Sequence, residues 1–480
     1  METPAEPTEP VEPTEPVEPL VPARPASPDG EAASAPTKPS DPTSRRDRVR
    51  QVVGRVRSNR GVRRGIELLQ GFRDPGQALV LLFIVAMLLR VVWLNVPSSG
   101  LIFDEAYYVN AARVILDLPA TSHYAESAPG FDPNTEHPAL GKLLIAGSMA
   151  VLGDNSVAWR LPSVIFGMIA LIAVYLIARD TSKSPWMPVL VTGLVAFDNL
   201  TFVHGRIGTL DMLMLAPLLV GSWLALRRRW ILAGIAMGIA LLIKITAIYG
   251  IGAVLLYALL TEGREWFRGR RRPRLDEVRG LIGFVVITLS IMLGGLTLLD
   301  ATLSQFPSPV DHIARILTYG ANLKAPFTVG ICPEVDSKPW QWLFNDCQIG
   351  YYRTDVTSRA GGEIVNKFSS VDFRGALNPL LASAIPIAAL FTAWYAWKTR
   401  DRLALWAVAW GAANYGPYVL LALLTPRIMY IYYVLPLVPA AAIGLALLLT
   451  RAELPRPVRW GYLIAYAVGF VALFPFRQIP

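Results

Sequence analysis

The chain has 480 residues, 53% of them hydrophobic and only 17% charged, with a mean hydropathy of +0.41. Soluble domains carry about one quarter charged residues, so the composition argues against a set of soluble domains and for a bilayer, and apolar runs near the ~20 residues that cross one recur along most of the length. The formal charge of +9 lies in short Lys/Arg segments between apolar runs, where it signals topology, and nucleic-acid binding is discounted on that ground.

Residues 1–43 are rich in Pro and Glu with almost no large apolar side chains, so they cannot bury enough surface to offset ordering entropy. They are expected to form a disordered cytoplasmic tail, and no cleavable signal is evident in them. Residues 44–76 are a basic juxtamembrane segment running from Arg45 to Arg73, a topology signal that can also hold the anionic headgroups of membrane lipids. The rest, 77–480, is read as one all-α integral membrane domain, a polytopic bundle of about eleven transmembrane helices. The spans are drawn at 77–96, 160–178, 187–202, 207–226, 230–243, 246–260, 280–299, 376–397, 403–424, 428–449 and 460–474. With the amino terminus inside, the loops at 179–183, 227–229, 264–279, 398–402 and 451–459 are all cytoplasmic, and all are basic. The carboxyl terminus is then outside, in a multi-pass protein of the cell membrane.

Two larger loops, 97–159 and 300–375, fall on the outer side. Cys332 and Cys347 share the second, in an oxidising compartment, so a disulfide between them is expected. No Cys-x-x-Cys or His-rich cluster suggests a metal site.

An ionisable side chain at the edge of lipid is costly unless it is paired or used, and few are present on the outer side. Asp104 and Glu105 are adjacent carboxylates just past the first span, where partial desolvation suits a general base, although acids also favour a helix start for its dipole. His137 and Lys142 precede an apolar run to Val151 that is short for a span and reads as an interfacial helix, where a lysine can also simply snorkel. Arg206 and Asp211 open the fourth span, Lys244 sits at the tip of a tight hairpin, and Arg427 lies in Thr425-Pro426-Arg427. Cations converging at the outer face suit a lipid-linked phosphate, with Arg giving bidentate contact and Lys a point charge; interfacial anchoring is the alternative for each one singly.

These residues resemble the protein O-mannosyltransferase family, whose fold is the GT-C membrane glycosyltransferase fold. The resemblance is carried in order by Asp104-Glu105, His137-Pro138-x-x-Gly141-Lys142, Arg206-Ile207-x-x-x-Asp211 and Arg427-x-x-x-Ile431-Tyr432-Tyr433-x-Leu435-Pro436, with Lys244-x-Thr246 and Asn378-Pro379 in support. Ala139 replaces the second Pro of the family's usual His-Pro-Pro, and the second outer loop is too short for the β-trefoil of the eukaryotic enzymes, which leaves the compact bacterial form.

The resemblance implies inverting transfer of mannose from polyprenyl-phosphate-mannose to Ser or Thr of an exported protein, with no obligatory cofactor or metal. It implies that Asp104 is the base and that Glu105 helps position acceptor or sugar. Arg206, Lys244 and Arg427 would contact the donor phosphate, while His137, Lys142 and Asp211 would serve the loop or headgroup site. Coupling to the export machinery is compatible with such an acceptor. A same-fold transferase acting on a lipid or glycan, as in the aminoarabinose transferases, is the alternative. A multispan transporter would call for inverted repeats and midplane sites, and no such repeat is seen.

Overall fold

The computed structural model describes residues 74–263, 275–304, 306–324, 336–360 and 363–477. The tail 1–43, the basic segment up to Arg73 and Cys332 lie outside the described residues.

Helix α1 (Pro75–Val91) leads into the first long loop, which carries α2 (Glu105–Ile115) and α3 (Leu140–Leu152). Then follow α4 (Ser156–Thr181), α5 (Met187–Ala196), the short α6 (Asn199–His204), α7 (Leu210–Leu226), α8 (Trp230–Ile243) and α9 (Ile248–Ala258). Helix α10 (Leu275–Leu303) enters the second long loop, which holds α11 (Pro309–Asn322), the single turn α12 (Pro339–Trp342) and a hairpin of β1 (Ile349–Ala360) and β2 (Glu363–Gly375). The bundle closes with α13 (Pro379–Thr399), α14 (Arg402–Leu424), a 3-10 stretch Ile431–Leu437, α15 (Val438–Arg451) and α16 (Arg456–Ala472).

The helix starts are written in the sequence. Asp74, Asn155, Asn378 and Asp401 each accept a hydrogen bond from a first-turn N–H of α1, α4, α13 and α14, satisfying a donor that a helix start leaves open. Every predicted span has a helix in the structure. Among the described residues six, at Ser156–Thr181, Ile245–Gly263, Leu275–Leu303, Pro379–Thr399, Arg402–Leu424 and Ile431–Arg451, are long and apolar enough to cross a membrane. The helices at the other five positions have 17 residues or fewer, so length and apolar composition alone carry six spans rather than eleven.

Three predicted spans are interrupted. The run 187–202 breaks after α5, because Asp198 accepts from the Thr201 N–H at 2.9 Å and starts a new helix, while its other oxygen accepts from the Asn378 N–H at 2.8 Å. The run 246–260 opens on a 3-10 turn beside Lys244 and ends in a π turn at Leu259–Gly263, and the run 428–449 opens on the 3-10 stretch that contains Pro436. Irregular backbone at membrane depth is tolerated where it is covered by protein or lines a cavity, and two of these interruptions border the site described below.

Helices approach closely where side chains are small. Gly234 and Gly238, one turn apart on α8, face α10, and a Cβ on Gly238 would come within 2.6 Å of Ile291. Helix α15 is buried on nearly all sides and forms the centre of the carboxyl-terminal half.

The second long loop adds one two-stranded hairpin to the helical bundle. In sequence the two strands flank a Gly361-Gly362 dipeptide, a turn signal. They pair antiparallel from Ile349↔Gly375 to Ala360↔Glu363, with register shifts that include one between Gly350 and Tyr352. The hairpin docks on the chain past α16, where the Asp372 N–H donates to Pro475 O at 2.8 Å and the Arg477 N–H to Ser370 O at 3.0 Å. Cys347, buried in this loop, is disulfide-bonded; Cys332, its expected partner, lies outside the described residues.

Candidate active site

A cavity of about 910 Å³ lies between the start of α2, the junction of α8 and α9, α11 and the chain between α14 and α15. Asp104 lines it. The chain reaches Asp104 through Phe103, whose φ of 53° lies in the left-handed region that a bulky side chain rarely adopts. Asp104 stands at the N-cap of α2 yet makes no capping bond, so its carboxylate is left to the cavity. Burial, reinforced by the nearby Asp211 carboxylate and opposed by the Lys244 ammonium, pushes its pKa up to about 7.

Glu105 points elsewhere. It is fully buried, and both of its oxygens meet Arg160, at 2.9 Å from Nε and 3.1 Å from a terminal nitrogen. One oxygen also accepts from the Gly208 N–H and the other from the Ile102 N–H, both at 2.8 Å. Arg160 in turn donates to the carbonyls of Leu94, Pro97 and Gly100 at 3.0 to 3.1 Å. This cluster ties α2 and α4 to the exit of α1. The acid expected to position substrate is thus committed to holding the backbone that carries Asp104.

Lys244, at the C-cap of α8, lines the same cavity. Its ammonium is 2.6 Å from Asp211 Oδ1 and lies 5.3 Å and 5.8 Å from the ring centres of Tyr432 and Tyr433, a cation–π cradle. Asp211, close to Arg206 in sequence, pairs with Lys244; its other oxygen lies 3.9 Å from His204 Nδ1. Arg427 also lines the cavity, donating from Nε to Gly320 O at 2.6 Å and lying over Tyr433.

His137 lines the cavity between these groups, with a buried Nδ1 that has no hydrogen-bond partner among the described residues. Burial, then Lys244 and Lys142, hold its pKa well below the usual histidine range, so the ring is neutral at pH 7. Lys142 is fully buried behind it, 2.5 Å from Asp132 and donating to the carbonyls of Asn134 and His137. It fastens the loop that presents His137. A second tie comes from His312 on α11, 2.7 Å from Asp300 and 3.1 Å from Thr135 O.

Arg206 is not brought to the cavity. It is buried among Phe202, Phe373 and Phe476 and donates to the carbonyls of Leu89, Val92 and Trp93 at the end of α1. The cavity therefore unites Asp104, Lys244, Arg427 and His137, with Asp211 behind Lys244, while Glu105, Lys142 and Arg206 brace its walls. Sequence reasoning missed Arg160, whose signal was a cation at the outer start of a span that the positive-inside rule does not explain. It also missed the aromatic wall of Tyr107, Tyr108, Tyr319 and Tyr430, for which tyrosines in an apolar sequence give no distinguishing pattern. Among the described residues no three His, Cys, Asp or Glu side chains gather to hold a metal ion.

Residues 136–290 match the family model described as dolichyl-phosphate-mannose-protein mannosyltransferase, a stretch that includes His137, Lys142, Arg206, Asp211 and Lys244. A polyprenol-phosphate-mannose–protein mannosyltransferase of Corynebacterium glutamicum is 25% identical over 424 residues, covering 74% of this chain and 78% of the relative. Among solved structures, the S. cerevisiae protein O-mannosyltransferase Pmt1-Pmt2 complex bound to the sugar donor superposes with a TM-score of 0.58 at 11% identity, over 85% of this chain and 90% of that one. ArnT from Cupriavidus metallidurans bound to undecaprenyl phosphate gives 0.52 at 19% identity, over 81% of this chain; this chain spans only 62% of the ArnT chain. The fold is that of the GT-C membrane glycosyltransferases. Within that fold the chain is similar in sequence to the bacterial polyprenol-phosphate-mannose–protein mannosyltransferases.

Proposed function

We propose that this protein transfers mannose, with inversion, from polyprenyl-phosphate-mannose to Ser or Thr hydroxyls of exported proteins at the outer face of the membrane. The observation that carries the reading is one cavity lined by a carboxylate free of capping duty, Asp104, together with two cations, Lys244 and Arg427.

A Ser or Thr hydroxyl is a poor nucleophile at neutral pH. Asp104 accepts its proton as the bond from oxygen to the anomeric carbon forms. The bond from that carbon to the phosphate oxygen breaks, and the carrier phosphate leaves with the electron pair. Lys244 and Arg427 hold the charge that develops on it, a stabilisation organised before the reaction begins. Met292, Ile313, Ile316, Leu317 and Leu421 supply an apolar side to the cavity that suits a lipid carrier. The donor-bound Pmt1-Pmt2 and undecaprenyl-phosphate-bound ArnT structures support a lipid-linked donor. The basic loops support a cytoplasmic amino terminus, with the site and carboxyl terminus outside. Acceptors would meet the enzyme as extended chains, which fits coupling to export.

Mass spectrometry of exported proteins from cells with and without this protein tests the reading. Loss of a hexose from Ser or Thr is the expected result; intact protein hexosylation with a changed membrane lipid would move the acceptor to the lipid class, as in aminoarabinose transfer. For the donor site, Lys244→Ala and Arg427→Ala each weaken binding of the carrier lipid by about 1.5–3 kcal/mol, the worth of a charge-assisted hydrogen bond. Arg427→Lys recovers only part, because it loses the planar fork. Titration of polyprenyl phosphate against the purified variants measures this, and unchanged affinity in both alanine variants would return the two cations to membrane anchoring.

A further inference from the structure

We infer that Tyr351, on the hairpin of the second long loop, is a positioning residue that locks the Phe103-Asp104 turn and joins it to the Lys244 side of the site. The inference rests on the reading of Asp104 as the base. Three observations carry it.

Tyr351 lies at a register shift of the hairpin, where Gly350 pairs with Arg374 and Tyr352 with Phe373, which leaves Tyr351 as the extra residue. An extra residue in one strand bends the pairing and re-aims its side chain. The Tyr351 side chain leaves the sheet for the protein interior and is almost completely buried.

The ring then stacks on Phe103, with centroids 4.2 Å apart and planes 15° from parallel, while Tyr432 also meets Phe103, edge-on at 5.4 Å. Phe103 is the residue with the left-handed backbone. A non-glycine residue keeps such a conformation only when its surroundings over-determine it, and the two tyrosine rings do so here. Release of Phe103 would let the turn relax and move Asp104, the next residue.

Finally, the Tyr351 hydroxyl is 3.0 Å from His204 Nε2, whose Nδ1 is 3.2 Å from the Thr209 hydroxyl and 3.9 Å from Asp211, which holds Lys244. One side chain from a loop hairpin therefore touches the support of the base and the support of the phosphate cation. A loop fastened only for stability would not need both contacts.

The test uses the full chain, purified and assayed with polyprenyl-phosphate-mannose and a Ser/Thr peptide, on Tyr351→Leu, Tyr351→Phe, Phe103→Leu and the double variant Phe103→Leu/Tyr351→Leu. Tyr351→Leu lowers kcat by roughly 10–100-fold, the scale of a displacement near 1 Å. Its KM for the donor stays within about twofold, and the acid limb of its pH profile moves. Tyr351→Phe, which keeps the stack, restores most of kcat and the limb. The double variant costs no more than the larger single one, because both break the same contact. If Tyr351→Leu does not accumulate, Tyr351→His, a smaller ring, is read by the same split of kcat from KM. A folded Tyr351→Leu or Tyr351→His with wild-type kcat and pH profile overturns the inference, as does full additivity in the double variant. Failure of the base assignment looks different: Asp104→Asn would then keep the wild-type acid limb whatever Tyr351 does.

Discussion

Asp104→Asn lowers mannosyl transfer by roughly 10²–10⁴-fold, the range for loss of a general base, while donor binding is retained. Asparagine keeps the shape of the side chain, and Asp104 holds no cap that the change would break. A base works best when its pKa lies near the operating pH, and burial with the Asp211 carboxylate places Asp104 at about 7. The sign of the pH dependence follows. Below about 7 the carboxyl is protonated and cannot take the acceptor proton, so wild-type turnover falls as pH drops through that value and levels above it. The residual rate of Asp104→Asn lacks this limb. The measurement is transfer to a Ser/Thr peptide across pH 5.5–8.5, a window about 1.5 units either side of that pKa, at matched protein levels and with donor binding alongside. Near-normal turnover in the variant would remove Asp104 from the mechanism and direct attention to Asp211 and His137.

The helical bundle was legible because hydropathy and loop charge report on a membrane directly, and the positions of all the predicted spans hold helices. The interruptions were harder to see. Asp198 looks like one polar residue in an apolar run until its two oxygens are found capping α6 and bonding the Asn378 N–H. The site was legible as a set of polar residues expected on the outer side but not in its division of labour. Asp104 and Glu105 are neighbours in sequence and so looked like partners in chemistry, yet the turn at Phe103 sends one to the cavity and the other to Arg160. Arg206 and Lys244 both counted as outer cations, and only the fold separates the one that donates to backbone carbonyls at the end of α1 from the one in the cavity. Tyr351 could not have been found at all, since its part depends on a register shift between two strands some 250 residues beyond the Phe103 it contacts.

The division between Asp104 and Glu105 makes a second prediction, in which the larger effect is on folding. Glu105 and Arg160 are an ion pair with almost no exposure on either side, and breaking such a pair by removing one partner costs about 3–5 kcal/mol because the other charge is left uncompensated. Arg160→Ala also strands the carbonyls of Leu94, Pro97 and Gly100. Glu105→Gln is nearly isosteric, yet it is not a mild change here. Each Glu105 oxygen accepts from one nitrogen of Arg160 and one backbone N–H, so the amide NH₂ of glutamine faces two donors whichever way it is turned. Glu105→Gln and Arg160→Ala are therefore both expected to unfold well below the wild type in detergent, with a smaller folded yield from the membrane. The double variant Glu105→Gln/Arg160→Met should recover part of the loss, since it removes the buried charge but not the need of the three carbonyls for a donor. The molecules of Glu105→Gln that do fold should keep the acid limb set by Asp104, which separates support of the backbone from proton transfer. Wild-type thermal stability in Glu105→Gln together with a lost limb would reverse the assignment and make Glu105 the acid that matters to the chemistry.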